Sequence, residues 1–374
     1  MKFKTGALLA ATLTAACALL IFPAQAAEGA KNGIGYCLEV LLPSLYPFMV
    51  LSVFVVKSGL ARRLGGALEG ATQRLFRLPG CAAPTVLMSV IGGYPAGARS
   101  VAALYEDGDV SRAQAERMLG FCVNAGPSFV VTAVGAGFLK SPRAGAVLFA
   151  AQVAVFLILG VAGGLTARRE PAAPGKSVKK KVPASEALIV SAADAARSML
   201  NMCCFVILFA ALMNLLRLFC RDPVKSAALS CVLEVTGGCS DLAKLGAPAW
   251  AVSAAIGWGG VCVHFQVFSS LTELGFSRAR FFFHRLLQSA LSAAVSFGLT
   301  LLFPESREAF QNLSGPVRGT LGASFPASAA LLALCLALLF VLPRDRLEIP
   351  DAQCYNRENR TGRARLRPAG PRRG

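Results

Sequence analysis

The sequence predicts an all-α, polytopic integral membrane protein. Hydrophobic residues make up 55% of its 374 positions and charged residues only 16%. Mean hydropathy is +0.57. Apolar segments long enough to approach a membrane crossing recur along the chain. Soluble domains are about 45–50% apolar and about 25% charged, so a single soluble core would leave much apolar surface in water. Disorder is excluded by the same composition. Ten apolar segments of about 20 residues each would use a little over half of the chain.

The formal net charge is +18, from 38 Lys and Arg against 20 Asp and Glu. In a soluble chain that excess points to nucleic acid. Here the basic residues collect between apolar stretches and at the C-terminus, the pattern that faces the cytoplasm and anionic lipid. The lipid bilayer is therefore the expected partner, and nucleic acid is not. Nine Arg follow Pro343, giving an expected cytoplasmic tail. The twelve Cys include no Cys-x-x-Cys pair, and the two His lie far apart in sequence. No metal, cofactor or disulfide framework is expected.

In chain order, Lys2 and Lys4 precede an apolar stretch, Gly6–Phe22, and then Ala24-Gln25-Ala26. This resembles a secretory signal with a cleavage site, and equally a retained first helix, which is preferred. Nine further segments follow: Tyr36–Val56, Cys81–Leu104, Leu119–Leu139, Ala144–Leu165, Ala187–Leu216, Ser226–Leu245, Trp250–Leu271, Phe281–Phe303 and Ala323–Leu342. A basic stretch rich in Pro, within residues 167–186, separates two membrane halves, 33–166 and 187–304. Residues 1–30 form the signal-anchor or first helix, 323–343 the last crossing, and 344–374 the Arg-rich tail.

Two segments carry breaks. Gly92-Gly93-Tyr94-Pro95-Ala96-Gly97 interrupts the first, and Thr236-Gly237-Gly238 follows Glu234 in the second. Gly costs backbone entropy in a helix and Pro lacks the N–H. Each apolar arm before the break is about ten residues, roughly 15 Å of helix. That is half of the roughly 30 Å hydrocarbon layer. A kinked crossing and a re-entrant hairpin both fit. Hairpins at both breaks place the basic linker inside with the other basic loops, which suits the positive-inside rule better. Each half then holds three crossings and one hairpin, so the second half enters from the opposite side as an inverted repeat. The expected architecture is about eight spanning helices plus two re-entrant or broken ones.

Unwound backbone in a bilayer is tolerated only where protein buries it or water lines it. Paired broken segments in corresponding positions point to a transport site. The expected solute-binding residues are Gly92, Gly93, Tyr94, Pro95, Gly97, Asn124, Thr236, Gly237, Gly238, Asp241 and Gln266. The half-helix after Pro95 would offer its positive end to an anion or polar oxygen. Ser240 or Asp241 would cap the other returning helix. Close packing through small residues is the alternative for both loops.

Ionisable and polar residues inside apolar segments should face a cavity or a partner. They are Glu39, Arg99, Asn124, Asp194, Arg197, Asn201, Glu234, Asp241, His264 and Gln266. Glu234, Asp241 and His264 are the candidates for ion or proton coupling. For Glu234 the alternative is a bond to a backbone N–H, and for His264 an ordinary interhelical bond. Asp194 and Arg197, three residues apart, would neutralise each other. The chain has no Gly-x-Ser-x-Gly, His-Glu-x-x-His or Walker-type loop, so no catalytic residue and no enzyme activity are expected.

Pro43-Ser44-Leu45-Tyr46-Pro47-Phe48, Gly93-Tyr94-Pro95-Ala96-Gly97-Ala98 and the Asn124 to Pro127 segment resemble the family of the sporulation integral membrane protein YlbJ. Leu78-Pro79-Gly80 and Ser111 to Arg117 also look like that family. The similarity spans roughly residues 33 to 303. Gly92 stands where a Ser often precedes Gly-Tyr-Pro in the family. The resemblance implies a multi-pass inner-membrane protein of a spore former, with a nucleoside-recognition (Gate) domain. It implies a small polar, nucleoside-like solute, bound or transported, and possible self-association or sporulation membrane partners. A structural or assembly role in the spore-forming membrane is the alternative.

Overall fold

The structure, a computed structural model, describes residues 2–58, 60–167, 184–269, 271 and 275–302. Among these there are helices and connecting turns but no strands. The expected last crossing at 323–343, the Arg-rich tail and most of the basic linker lie outside the described residues.

α1 (Lys2–Ile21) and α2 (Pro23–Gly35) meet at Phe22. Pro23 opens α2 at a position whose N–H has no intrahelical partner in any case. α2 continues through a π-helical stretch, Tyr36–Leu41, into α3 (Leu42–Lys57). The widened turns end just before Pro43, which supplies no N–H and crowds the carbonyl four residues back. Helix therefore runs unbroken through residues 30–33, where the sequence suggested a boundary. Ala24-Gln25-Ala26 lies inside α2.

This long helix packs antiparallel on α9 (Ala184–Arg217). Asn214 Nδ2 donates to the Gln25 carbonyl at 2.7 Å. A Cβ on Gly29 would sit 2.7 Å from the Ala210 carbonyl oxygen, and one on Gly33 2.8 Å from Ile207 Cα. Cys37 Sγ lies 3.8 Å from the Cys203 carbonyl, and Tyr46 Oη donates to Ala192 O at 3.5 Å. The partner number falls as the residue number rises, which defines the direction. Glycines let the two backbones approach closely, the usual way that membrane helices gain contact. Near the end of this seam Lys57 pairs with Asp194 at 2.7 Å. Asp194 thus pairs across the seam with Lys57, where the sequence suggested Arg197.

α4 (Leu60–Leu75) leads to two short helices, α5 (Ala83–Ile91) and α6 (Gly93–Glu106). A Cβ on Gly97 would lie 3.2 Å from Ser89 Cβ. Residues eight apart on one straight helix are about 12 Å apart, so α6 folds back on α5. α10 (Pro223–Leu233) and α11 (Val235–Lys244) repeat the arrangement. There a Cβ on Gly238 would lie 2.6 Å from Cys231 Cα. Both broken segments are helical hairpins and not kinked rods.

Two further segments depart from the expected crossings, the first of which the sequence predicts to kink at Asn124 and Pro127. Leu119–Leu139 begins with the end of α7 (Arg112–Leu119) and unwinds over residues 120–126. It then continues as a π-helical stretch, Ser128–Phe138. Trp250–Leu271 divides into α12 (Ala249–Trp258) and α13 (Gly260–Ser269). Gly259 and Gly260 between them have φ of +84° and +77°, a left-handed region open mainly to Gly. α8 (Pro142–Leu165) and α14 (Arg278–Leu302) are continuous. Five helical stretches among the described residues are long and apolar enough to cross a membrane: Pro23–Val55, Pro142–Leu165, Ser185–Arg217, Ala249–Ser269 and Arg278–Leu302. The expectation of about eight also counted Leu119–Leu139 and the segment at 6–22 as full crossings, and the one at 323–342, which lies outside the described residues.

The outer surface is apolar, as lipid requires. Phe283, Leu286, Phe297 and Leu301 of α14 are exposed, whereas Arg285, Gln288, Ser292, Ser296 and Thr300 on its other face are buried. Inside, Gln152 of α8 donates to Ser253 O at 3.1 Å and accepts from Ser292 Oγ at 3.2 Å. These bonds join three helices around small side chains and supply partners for groups that lipid would leave unpaired.

Candidate functional site

The backbone interruptions meet in pairs. Gly93 has φ +78°, and a Cβ there would lie 3.3 Å from the Gly126 N. A Cβ on Gly126 would in turn lie 2.9 Å from the Ile91 carbonyl oxygen. The first hairpin tip thus sits on the unwound segment after α7. The second tip sits on the α12–α13 break, where a Cβ on Gly260 would lie 2.9 Å from Val235 N. One side chain crosses between the pairs: Tyr94 Oη donates to the Ile256 carbonyl near the end of α12.

Glu234 forms the second tip. Its backbone is extended, at φ −147° and ψ 121°, so it ends α10 and begins α11. Its carboxylate accepts from Thr236 N at 2.7 Å and Gly237 N at 2.6 Å. A carboxylate across the first-turn N–H groups satisfies orphan donors and complements the positive end of the helix. Neither Ser240 nor Asp241 is the cap, since both lie beyond the first turn, out of reach of those N–H groups. α6 differs: its N-terminus at Gly93 has no side-chain cap.

A small cavity of about 40 Å³ lies between the tips. Gly92, Gly93, Tyr94, Pro95, Gly126, Glu234, Thr236 and Gln266 line it together with apolar residues that include Leu41, Leu45, Met49, Met202 and Val206. A water needs about 10–15 Å³ by this measure, so the space admits a few water-sized groups. A nucleoside would require the walls to part.

Seven of the predicted site residues therefore line one hollow: Gly92, Gly93, Tyr94, Pro95, Glu234, Thr236 and Gln266. The others stand apart from it. A Cβ on Gly97 would collide with the Cys122 carbonyl, so Gly97 allows close packing. Gly237 gives its N–H to Glu234, and Gly238 lies against Cys231. Asn124 is buried and accepts from Gln288 Nε2 at 2.8 Å. Asp241 pairs with Arg217 and lies 3.8 Å from Lys244 Nζ. Seven residues after Glu234, it is nearly two turns down α11, away from the tip. His264 Nε2 contacts the Trp258 carbonyl at 2.9 Å, within a ring of Trp258, Phe281 and Phe282. Since a carbonyl only accepts, Nε2 carries the proton there.

One residue escaped the sequence reading. Arg285 is fully buried in α14. It donates to the Val123 carbonyl and, at 2.9 Å, to the Gly120 carbonyl, both in the unwound segment. Its signal is present in the sequence, a cation at the fifth position of the apolar run Phe281–Phe303. Among the described residues no cluster of three His, Cys, Asp or Glu could hold a metal ion.

Over 313 aligned residues the chain is 28% identical to the sporulation integral membrane protein YlbJ of Bacillus subtilis strain 168, covering 72% of this chain and 76% of that protein. No protein-family model matches the chain. No solved structure matches it either. The similarity and the multi-span helical architecture bear out the resemblance to the YlbJ family and support a membrane protein of sporulation.

Proposed function

From this kinship with a sporulation membrane protein, we propose that the chain binds a small polar solute between its hairpin tips and moves it across the inner membrane. The supporting observation is the convergence of the Gly92–Gly93 and Glu234 tips on one hollow. Peptide groups at such tips are what a desolvated solute needs. The uncapped start of α6 suits an oxygen-bearing or anionic group. Glu234 occupies the equivalent place on α11 and is the candidate for coupling to a proton or ion. The halves act as inverted repeats, a reading supported by the antiparallel α2–α3 and α9 seam and by a hairpin in each half. Rocking along that seam would open the hollow to either side. The nucleoside-recognition (Gate) reading enters on resemblance alone, and a nucleoside would bind only after the hollow widens. No catalytic step is assigned, and the tail is taken to be cytoplasmic.

The test is uptake by purified full-length protein in liposomes, using labelled nucleosides and small anionic metabolites. Accumulation that Gly93→Leu abolishes, with unchanged protein incorporation, is expected. No accumulation of any solute would favour a structural or assembly role in the spore-forming membrane.

A further inference from the structure

The clamp formed by α14 is separate from the solute contacts. Arg285 spans two carbonyls of residues 120–126, one of them at the C-terminal cap of α7. Gln288, three residues on and on the same buried face, donates to Asn124. Together they fasten one side of the unwound segment, and Gly126 at its other end backs the Gly92–Gly93 tip. The fastening is incomplete: Asn124 Nδ2, Gln288 Oε1 and Arg285 Nε are buried and make no hydrogen bond. Buried polar atoms left over in this way raise the free energy of the closed arrangement. An opened arrangement that satisfied them would lie correspondingly closer.

We propose that residues 120–126, which reach the hollow itself at Gly126, are a movable wall behind the Gly92–Gly93 tip, and that Arg285, with Gln288, is the positioning pair that holds it closed. The proposal rests on the solute-binding reading of the hollow. Arg285 touches no solute in it and acts only through the wall. Its planar fork suits two carbonyls at once, which an ammonium matches less well.

Cys122 lies within the wall and is completely buried, as are Cys239 and Cys262 elsewhere. The test is alkylation of the full-length protein in liposomes by membrane-permeant N-ethylmaleimide, with each cysteine peptide quantified by mass spectrometry. Arg285→Gln should speed labelling of Cys122 about tenfold or more, while Cys239 and Cys262 stay protected. Arg285→Lys should fall between parent and Arg285→Gln; protection equal to the parent would overturn the two-carbonyl fork. Unchanged labelling of Cys122 in Arg285→Gln would overturn the clamp. A parallel rise at Cys239 would do the same, because Arg285 would then support the whole fold and not one wall. No solute is needed for this measurement, so an absence of uptake leaves it standing, and a negative labelling result leaves the uptake test intact.

Discussion

Gly260→Ala separates close backbone packing at the α12–α13 break from incidental flexibility. Gly260 has φ +77°. Placing an L side chain there costs about 1–2 kcal/mol. The added methyl would also lie 2.9 Å from Val235 N and 3.1 Å from Glu234 Cα, backbone atoms of the second tip. Overpacking of that kind costs about 1–3 kcal/mol. The sum is about 2–5 kcal/mol, which the size dependence of melting converts to a fall in Tm of about 3–6 °C. Gly298→Ala is the control, because a Cβ there meets nothing within 4 Å. In a helix interior it should be neutral or stabilise by up to about 1 kcal/mol. Thermal unfolding in nanodiscs, followed by the reaction of buried Cys239 and Cys262 with a thiol-sensitive fluorophore, reads both variants. Equal melting of Gly260→Ala and Gly298→Ala would refute the claim that the break is pressed against the Glu234 tip.

Glu234→Gln keeps one acceptor for the α11 N–H groups but loses the charge, so a loss of about 1–2 kcal/mol is expected. Any solute uptake should then stop responding to an imposed proton or ion gradient. Asp241→Asn should leave coupling intact and cost no more than about 1 kcal/mol, because its Arg217 partner is half-exposed and solvent screens the pair. Equal uncoupling by the two substitutions would contradict the placement of Asp241 away from the hollow. In the inverted-repeat arrangement, a cysteine replacing Lys179 should react with an impermeant reagent only from the cytoplasmic side. Labelling from outside intact cells would reject that arrangement.

The two hairpins were legible because Gly92, Gly93 and Pro95, and later Gly237 and Gly238, disfavour helix; the first break falls at Gly92–Gly93, whereas the second falls at Glu234 and leaves Gly237 and Gly238 inside α11. Their folding back was expected from loop charge and is visible in the contact of Gly238 with Cys231. The break at Gly259–Gly260 was harder to see. Its neighbours are all apolar, and hydropathy registers composition, not the sign of φ. Pro127 by itself predicts only a kink, because one Pro usually bends a helix without unwinding seven residues. What unwinds them is remote in sequence: Arg285 and Gln288 supply hydrogen bonds that the helix would otherwise have made for itself. Glu234 was recognised, but its bond to its own helix was one of two possibilities that sequence spacing could not separate. Asp241 was drawn toward the site by proximity in sequence, whereas helix geometry carries it toward Arg217.

The α2–α3 and α9 pair has a consequence for how such a chain can be divided. Its contacts run from Gln25 with Asn214 to Tyr46 with Ala192, and they match one half to the other along nearly the full length of two helices. Recognition between the halves is thus written into the helix faces themselves. Two polypeptides encoded separately, one ending and the other beginning in the basic stretch, should find each other in the bilayer and rebuild the same molecule.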